Sequence, residues 1–231
     1  MFTKSNVETV IQELSNQNRL FVSEADLQVS FIIEAEKKYG DRFYFYAEFS
    51  PSLNEIPDEY KHKFGDGVNF DLVIFDKANQ DKTIIEFKYK TKELIDKVWT
   101  RDTNQVVVNK GGNDAPDLGR YDCWKDIYRT EQFKLNGYCT NGFFVFITGV
   151  YAYLSKPTEV LSEQFNMAPG HYNPENKEWA DGANHISSFG VGRYHRLNIR
   201  NHYDLEYHQF INEFLTKKRT KNKFMYLILE I

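Results

Sequence analysis

Apolar residues recur along this chain with two periods, and the change from one to the other marks its elements. Val7, Val10, Ile11 and Leu14 keep helical spacing and predict a short first helix. A second helix is predicted over 23–39. Ser23 stands as its N-cap, with Asp26 at the capping-box position that Glu or Gln more often fills. Glu24, Leu27, Gln28, Phe31 and Ala35 fall on one side of that helix. Glu24 therefore shares a face with core residues, which is unusual for a carboxylate. Gly40 and Asp41 end the helix, "RFYFYAEF" reads as strand, and "SPSLNEIPDEYKHKFGDG" reads as a loop punctuated by Pro and Gly.

"FDLVIFD" (70–76) and "TIIEFKY" (83–89) form the clearest hairpin in the chain, turning about Asn79. Folding it there brings Asp71 opposite residues 86 to 88. Beyond it a helix is predicted near 91–99 and a loop at 111–117. "GRYDCWKDIYRTEQFKL" follows as a helix over 119–136, with Trp124, Ile127, Tyr128 and Leu135 on its core side. "GFFVFITGV" (142–150) is an unbroken apolar run, the mark of a fully buried strand. Residues 155–190, rich in Asn, Gly and Pro, read as a long irregular insertion with one short helical stretch. "YHRLNIRNHYDLEY" alternates and predicts a strand. A helix at 207–216, the basic run "KKRTKNK" (217–223) and a last strand "FMYLILEI" close the chain. With no repeat, linker or low-complexity stretch, 1–231 reads as a single mixed α/β domain.

Composition narrows the class. A hydrophobic content of 41% with 16% aromatics supplies a core, and the abundance of Phe and Tyr favours β-structure. The formal charge of −4 carries no overall positive field, so any nucleic-acid contact must use local basic patches. Cys123 and Cys139 are too few for a disulfide framework and suit a reducing, cytoplasmic setting. The first residues lack the apolar core of a signal peptide, and no run approaches the roughly 18 apolar residues of a membrane span. No membrane partner is expected.

The stretch "KTIIEFKYKTK" carries the chemistry. Alternate side chains on a strand share a face, so Glu86, Lys88 and Lys90 lie on one side with Ile84. Ile85, Phe87 and Tyr89 lie on the other. Glu24, Asp71 and Glu86 then gather beside Lys88. Carboxylate oxygens suit a hard divalent cation such as Mg²⁺. A metal so held polarises a phosphoryl oxygen and helps ionise a water, which a lysine can orient. Three carboxylates crowded without a cation repel one another, so at least one is expected to titrate upward.

The spacing D-x14-E-x-K, as Asp71, Glu86 and Lys88, resembles the PD-(D/E)XK nuclease motif of the restriction-endonuclease-like superfamily. Phe70 stands before Asp71 where the motif has Pro. "SEADLQ", "IIEFKYKTK" and "DLGRYDCWKDIYRTEQ" resemble segments of uncharacterised prokaryotic members. The resemblance covers about residues 20–150, leaving 151–231 as a C-terminal elaboration. It implies an α-β-β-β-α-β core, with a central mixed sheet flanked by helices and strands added at the C-terminus. It also implies Mg²⁺ (or Mn²⁺) held by Asp71, Glu86 and Glu24, with Lys88 positioning the nucleophile. The expected activity is metal-dependent hydrolysis of nucleic acid, DNA foremost, with a homodimer as a further candidate assembly. Gln28, Glu48, Lys90, Arg120, Asp126 and Arg129 are accessory candidates. The bland account of Asp126 and Arg129 is an ion-pair network between helix and sheet, and that of Glu86 and Lys88 a solvated edge strand. Two rival functions stay open: a nucleic-acid-binding module without catalysis on the same scaffold, and a structural α/β protein. The histidines lack zinc spacing, and "KGGNDAPDLG" lacks the ending of a P-loop.

Overall fold

The computed structural model describes residues 1–17, 21–91, 115–158, 160–180, 195–215 and 221–231. In chain order they form α1 (Lys4–Asn16), α2 (Glu24–Tyr39), β1 (Phe43–Phe49), α3 (Asp58–Phe64), β2 (Phe70–Asp76), β3 (Lys82–Lys90), α4 (Pro116–Leu135) and β4 (Asn141–Thr148). These are followed by β5 (Gly170–Tyr172), β6 (Glu175–Lys177), β7 (Leu197–Ile199), β8 (Tyr203–Leu205), β9 (His208–Leu215) and β10 (Lys221–Glu230). Six strands make the central sheet, in the order β1-β2-β3-β4-β10-β9. Every neighbouring pair is antiparallel except β3 and β4. Parallel strands need a crossover, and α4 lies on the segment that makes it.

Strand parity sorts the core into two layers. Ile85, Phe87 and Tyr89 pack with Val7, Val10 and Ile11 of α1 and Leu27 and Phe31 of α2. Val73 and Ile84, on the opposite face, pack with Trp124, Ile127 and Tyr128 of α4. β4, covered on both faces, is buried along its whole length. At the start of α2 the Ser23 hydroxyl accepts from the Asp26 amide at 3.1 Å, as its N-cap position predicts. Among the described residues no helix is long and apolar enough to cross a membrane.

Several expectations are corrected. The loop after β1 contains a helix: Pro57 precedes α3, whose Tyr60 and Phe64 sit one turn apart and pack around Tyr128. The helix predicted at 207–216 is the strand β9, whose backbone is claimed by β10. The predicted strand over 194–207 divides into β7 and β8. These pair with β6 and β5, two short strands inside the segment read as irregular. Leu135 is 52% exposed, because it is the last residue of α4 and lies past the packed face. Residues 92–99 of one predicted helix, 111–114 of the following loop and 217–220 of the basic run lie outside the described residues.

α4 approaches β4 so closely that only glycine fits at 142. A Cβ there would stand 2.3 Å from Cγ2 of Thr130. Gly142→Ala should therefore cost about 1–3 kcal/mol of unfolding free energy. In a Thr130→Ser background, which removes that methyl, most of the cost should vanish. Denaturant melts of the four proteins in this cycle check the expectation. An undiminished cost in the double variant would place the clash elsewhere.

Candidate active site

The β2–β3 ladder runs from the Phe75–Lys82 pair to the Leu72–Ile85 pair and stops, although both strands continue past that point. Carboxylates take over where main-chain pairing ends, because an exposed amide needs an acceptor. Asp71 Oδ2 accepts from the Phe87 amide at 2.7 Å, and Glu86 Oε2 lies 3.4 Å from the Asp71 amide that donates to it. Farther along β3, Glu24 Oε2 accepts from the Tyr89 amide at 2.9 Å. The first turn of α2 thus reaches the open ladder, as its apolar face suggests. Gln28, one turn on and buried, donates from Nε2 to the Asp71 carbonyl and holds that end of β2.

Behind these groups stands a chain of alternating charge. Lys88 Nζ lies 3.3 Å from Glu24 Oε1 and 2.8 Å from Asp126 Oδ2. Arg129 Nη2 lies 3.1 Å from Asp126 Oδ1 and 2.7 Å from Glu86 Oε1. Asp126 and Arg129 are therefore the ion-pair network of the bland account, and that network runs through the candidate site.

Burial sets the acidities. It pushes the Asp71 carboxyl up to about 6; Lys88 and the Phe87 amide oppose the rise, while Asp126 and Glu24 add to it. An upward shift was expected, but desolvation outweighs the mutual repulsion invoked for it. Burial likewise raises Glu86 well above the usual glutamate range, with Arg129 pulling it back. Against the cost of their own burial, Asp126 and Glu24 hold Lys88 protonated, and Glu86 and Asp126 do the same for Arg129. Asp126 is held low by Lys88 and Arg129 despite being buried.

The other candidates lie elsewhere. Glu48 falls between the Ala47–Leu72 and Phe49–Phe70 pairs, level with Asp71 on the neighbouring strand. Its backbone adopts a left-handed φ of 50°, and its exposed carboxylate accepts from Asn69. Arg120 is buried at the other end of α4, where it donates to the Ala152 and Ser155 carbonyls. Lys90 continues the Lys88 face at the end of β3, opposite Thr148. Sequence reasoning left Asp126 and Arg129 as accessories. Their three-residue spacing on one helix face was the available signal for a closer role.

Among the described residues no group of three or more His, Cys, Asp or Glu side chains is arranged to hold a metal ion. Mg²⁺, however, is commonly held by one or two carboxylates, with waters and substrate phosphate completing its shell. Asp71 fits that role, and Glu86 would join it once its Oε1 is released by Arg129, 2.7 Å away. Oδ1 of Asp71 has no hydrogen-bond partner among the described residues, and a cation would relieve the burial of both acids. Glu24 is committed to Lys88 and the Tyr89 amide.

No protein-family model, curated protein or solved structure matches this chain.

The Asp71 shift has a sign that can be tested. A carboxyl raised from the ordinary 3.8 to about 6 binds its proton more tightly folded than unfolded. Its contribution to stability is most favourable below about 4, falls as pH rises to about 6, and stays unfavourable above that. The deficit is at most about 3 kcal/mol. In metal-free thermal melts, Asp71→Asn should therefore gain on the wild type as pH rises from about 4 to about 8. An equal difference at both values would mean that Asp71 is not desolvated.

Proposed function

We propose that this protein is a Mg²⁺-dependent nuclease, hydrolysing phosphodiester bonds of nucleic acid, with DNA as the first substrate to test. The break in the β2–β3 ladder carries the reading. Asp71, Glu86 and Lys88 meet there on one sheet face, in the order and spacing of the motif they resemble. Asp71 and Glu86 would hold the ion, with Mn²⁺ as a substitute; when bound, it supplies phosphoryl polarisation and a more acidic water. Lys88 would orient the attacking water and offset charge building on the phosphate. Asp126 fixes the Lys88 ammonium, Gln28 fixes the Asp71 backbone, and Glu24 shares the load on Lys88. The α2–α4 order of elements about a mixed sheet is compatible with the restriction-endonuclease-like core, and we propose that fold as well.

A non-cleaving nucleic-acid-binding module is the second reading. It is favoured by Arg129, whose guanidinium occupies the Glu86 oxygen at 2.7 Å. For cleavage, Arg129 would have to turn toward phosphate as Glu86 takes the ion.

The two are separated by incubating the protein with plasmid, single-stranded DNA and RNA, with and without Mg²⁺. Lys88→Ala should keep Mg²⁺ binding and lose about 10²–10⁴ in cleavage rate, the usual worth of a positioned proton-transfer group. Glu86→Ala should lose both. Lys90→Ala should weaken nucleic-acid binding mainly at low salt, as a phosphate contact does. Mg²⁺ bound without cleavage of any substrate would favour the second reading, and full activity of Lys88→Ala would remove the site from the mechanism.

A further inference from the structure

Outside the ion-pair chain, the feature that asks most for a partner is on the edge strand β1. Tyr44 and Tyr46 are 52% and 46% exposed and point to the sheet face opposite Phe43 and Phe45, which pack on the α1–α2 side. Their ring centroids are 6.3 Å apart, and Phe49 continues the row 6.1 Å beyond Tyr46. Phe75 of β2 backs the row, 5.4 Å from Tyr46 and 5.7 Å from Phe49. The row is directed. It starts beside the β2–β3 turn and ends at Phe49, which pairs with Phe70, the neighbour of Asp71.

We propose that this aromatic row is a stacking platform for the bases of an unpaired nucleic-acid strand, leading it toward Asp71 and Glu86. The proposal deepens the nuclease reading and rests on it for the direction of the strand. Three observations select this occupant. Two half-exposed tyrosine rings on an edge strand, inclined 51° to each other and with Lys77 over one face of Tyr44, offer aromatic surface to base faces, which every base presents regardless of sequence. The steps of about 6 Å exceed the roughly 3.4 Å rise of a stacked duplex strand, so one base per ring requires an extended, unstacked chain. Charge complements the rings as well. Lys77 Nζ stands 4.3 Å from the Tyr44 centroid and donates to the Gly40 carbonyl; among the described residues no carboxylate pairs with it, leaving its charge for a phosphate. Lys82, 5.9 Å from the Phe75 centroid, is already paired with Glu55 at 3.1 Å and contributes less.

The test measures binding in EDTA, where no metal-dependent cleavage occurs. Fluorescence anisotropy is read with labelled oligodeoxythymidine and oligouridine of about twelve nucleotides and with a duplex of equal length. The wild type should prefer single strands to duplex, and the tighter of the two strands names the sugar. Joint Tyr44→Ala and Tyr46→Ala replacement should weaken single-strand binding about 5–150-fold per ring, the equivalent of ~1–3 kcal/mol each, and leave duplex binding unchanged. Tyr44→Phe with Tyr46→Phe keeps the rings and should keep the affinity. Lys77→Ala should lower the salt slope by about one.

The idea is overturned if the Ala pair binds single strands like the wild type, or if the Phe pair loses as much as the Ala pair. It is also overturned if the wild type favours duplex or binds neither strand. A dimer that the Ala pair converts to monomer, seen by sedimentation, would instead make the row an interface between two copies. Cleavage in Mg²⁺ separates the two proposals. Ring-dependent binding without cleavage leaves the platform and removes the nuclease, whereas cleavage of single strands indifferent to the rings does the reverse.

Discussion

Five charged side chains from α2, β3 and α4 stand in one line, and the middle of the molecule depends on their order: Glu24, Lys88, Asp126, Arg129, Glu86. Glu86 is fully buried, and Asp126, Arg129 and Lys88 are nearly so. Taking such ions out of water costs several kcal/mol each, which a single partner seldom returns; a chain in which each interior charge has two neighbours returns more. Adding or removing one member leaves a buried charge uncompensated. The helices and the central strand are thereby held in one relative position, since sliding α4 by a turn would bring Arg129 level with the wrong neighbour.

The same helix serves a second purpose on another side. Both oxygens of Glu131 are taken by the C-terminal region: the Arg200 and Asn201 amides donate to them at 3.0 and 2.9 Å, and the Tyr203 hydroxyl at 3.1 Å. Arg200 also reaches back to Glu59 of α3 at 3.0 Å. Residues beyond 150 are thus tied to the scaffold through buried acceptors. Their burial raises Glu131, and those donors restrain the rise.

Much of this could be read from residues alone, and the boundary is physical. The period-2 pattern of β3 assigned Ile84, Glu86 and Lys88 to one face and Phe87 to the other, because pleat geometry allows nothing else. Glu24 was legible from its place beside Leu27 and Phe31, and Asp71 from the length of the hairpin turn. Partner choice was not legible: Asp126 and Arg129 were visible as one polar helix face, but which strand residue each would meet depends on how α4 crosses the sheet. The segment 208–215 lost its apparent helical character to pairing with β10, a long-range contact with no local trace. α3 was hidden by Pro57 and Gly65, which end a helix as readily as they mark a loop.

Strand order also constrains how the chain can acquire its shape during synthesis. β4 is flanked by β3 on one side and on the other by β10, which is made well after it. Phe224 and Ile228 of β10 and Phe210 of β9 belong to the same apolar layer as Phe2 and as Val7 and Val10 of α1. A ribosome-bound chain that has completed β4 therefore carries an apolar strand with one open edge and an α1 lacking part of its cover. Such an edge invites association with other chains until β10 arrives. Closure of the sheet is consequently a late, long-range event, and a nascent chain stalled before β10 is the form most in need of a chaperone.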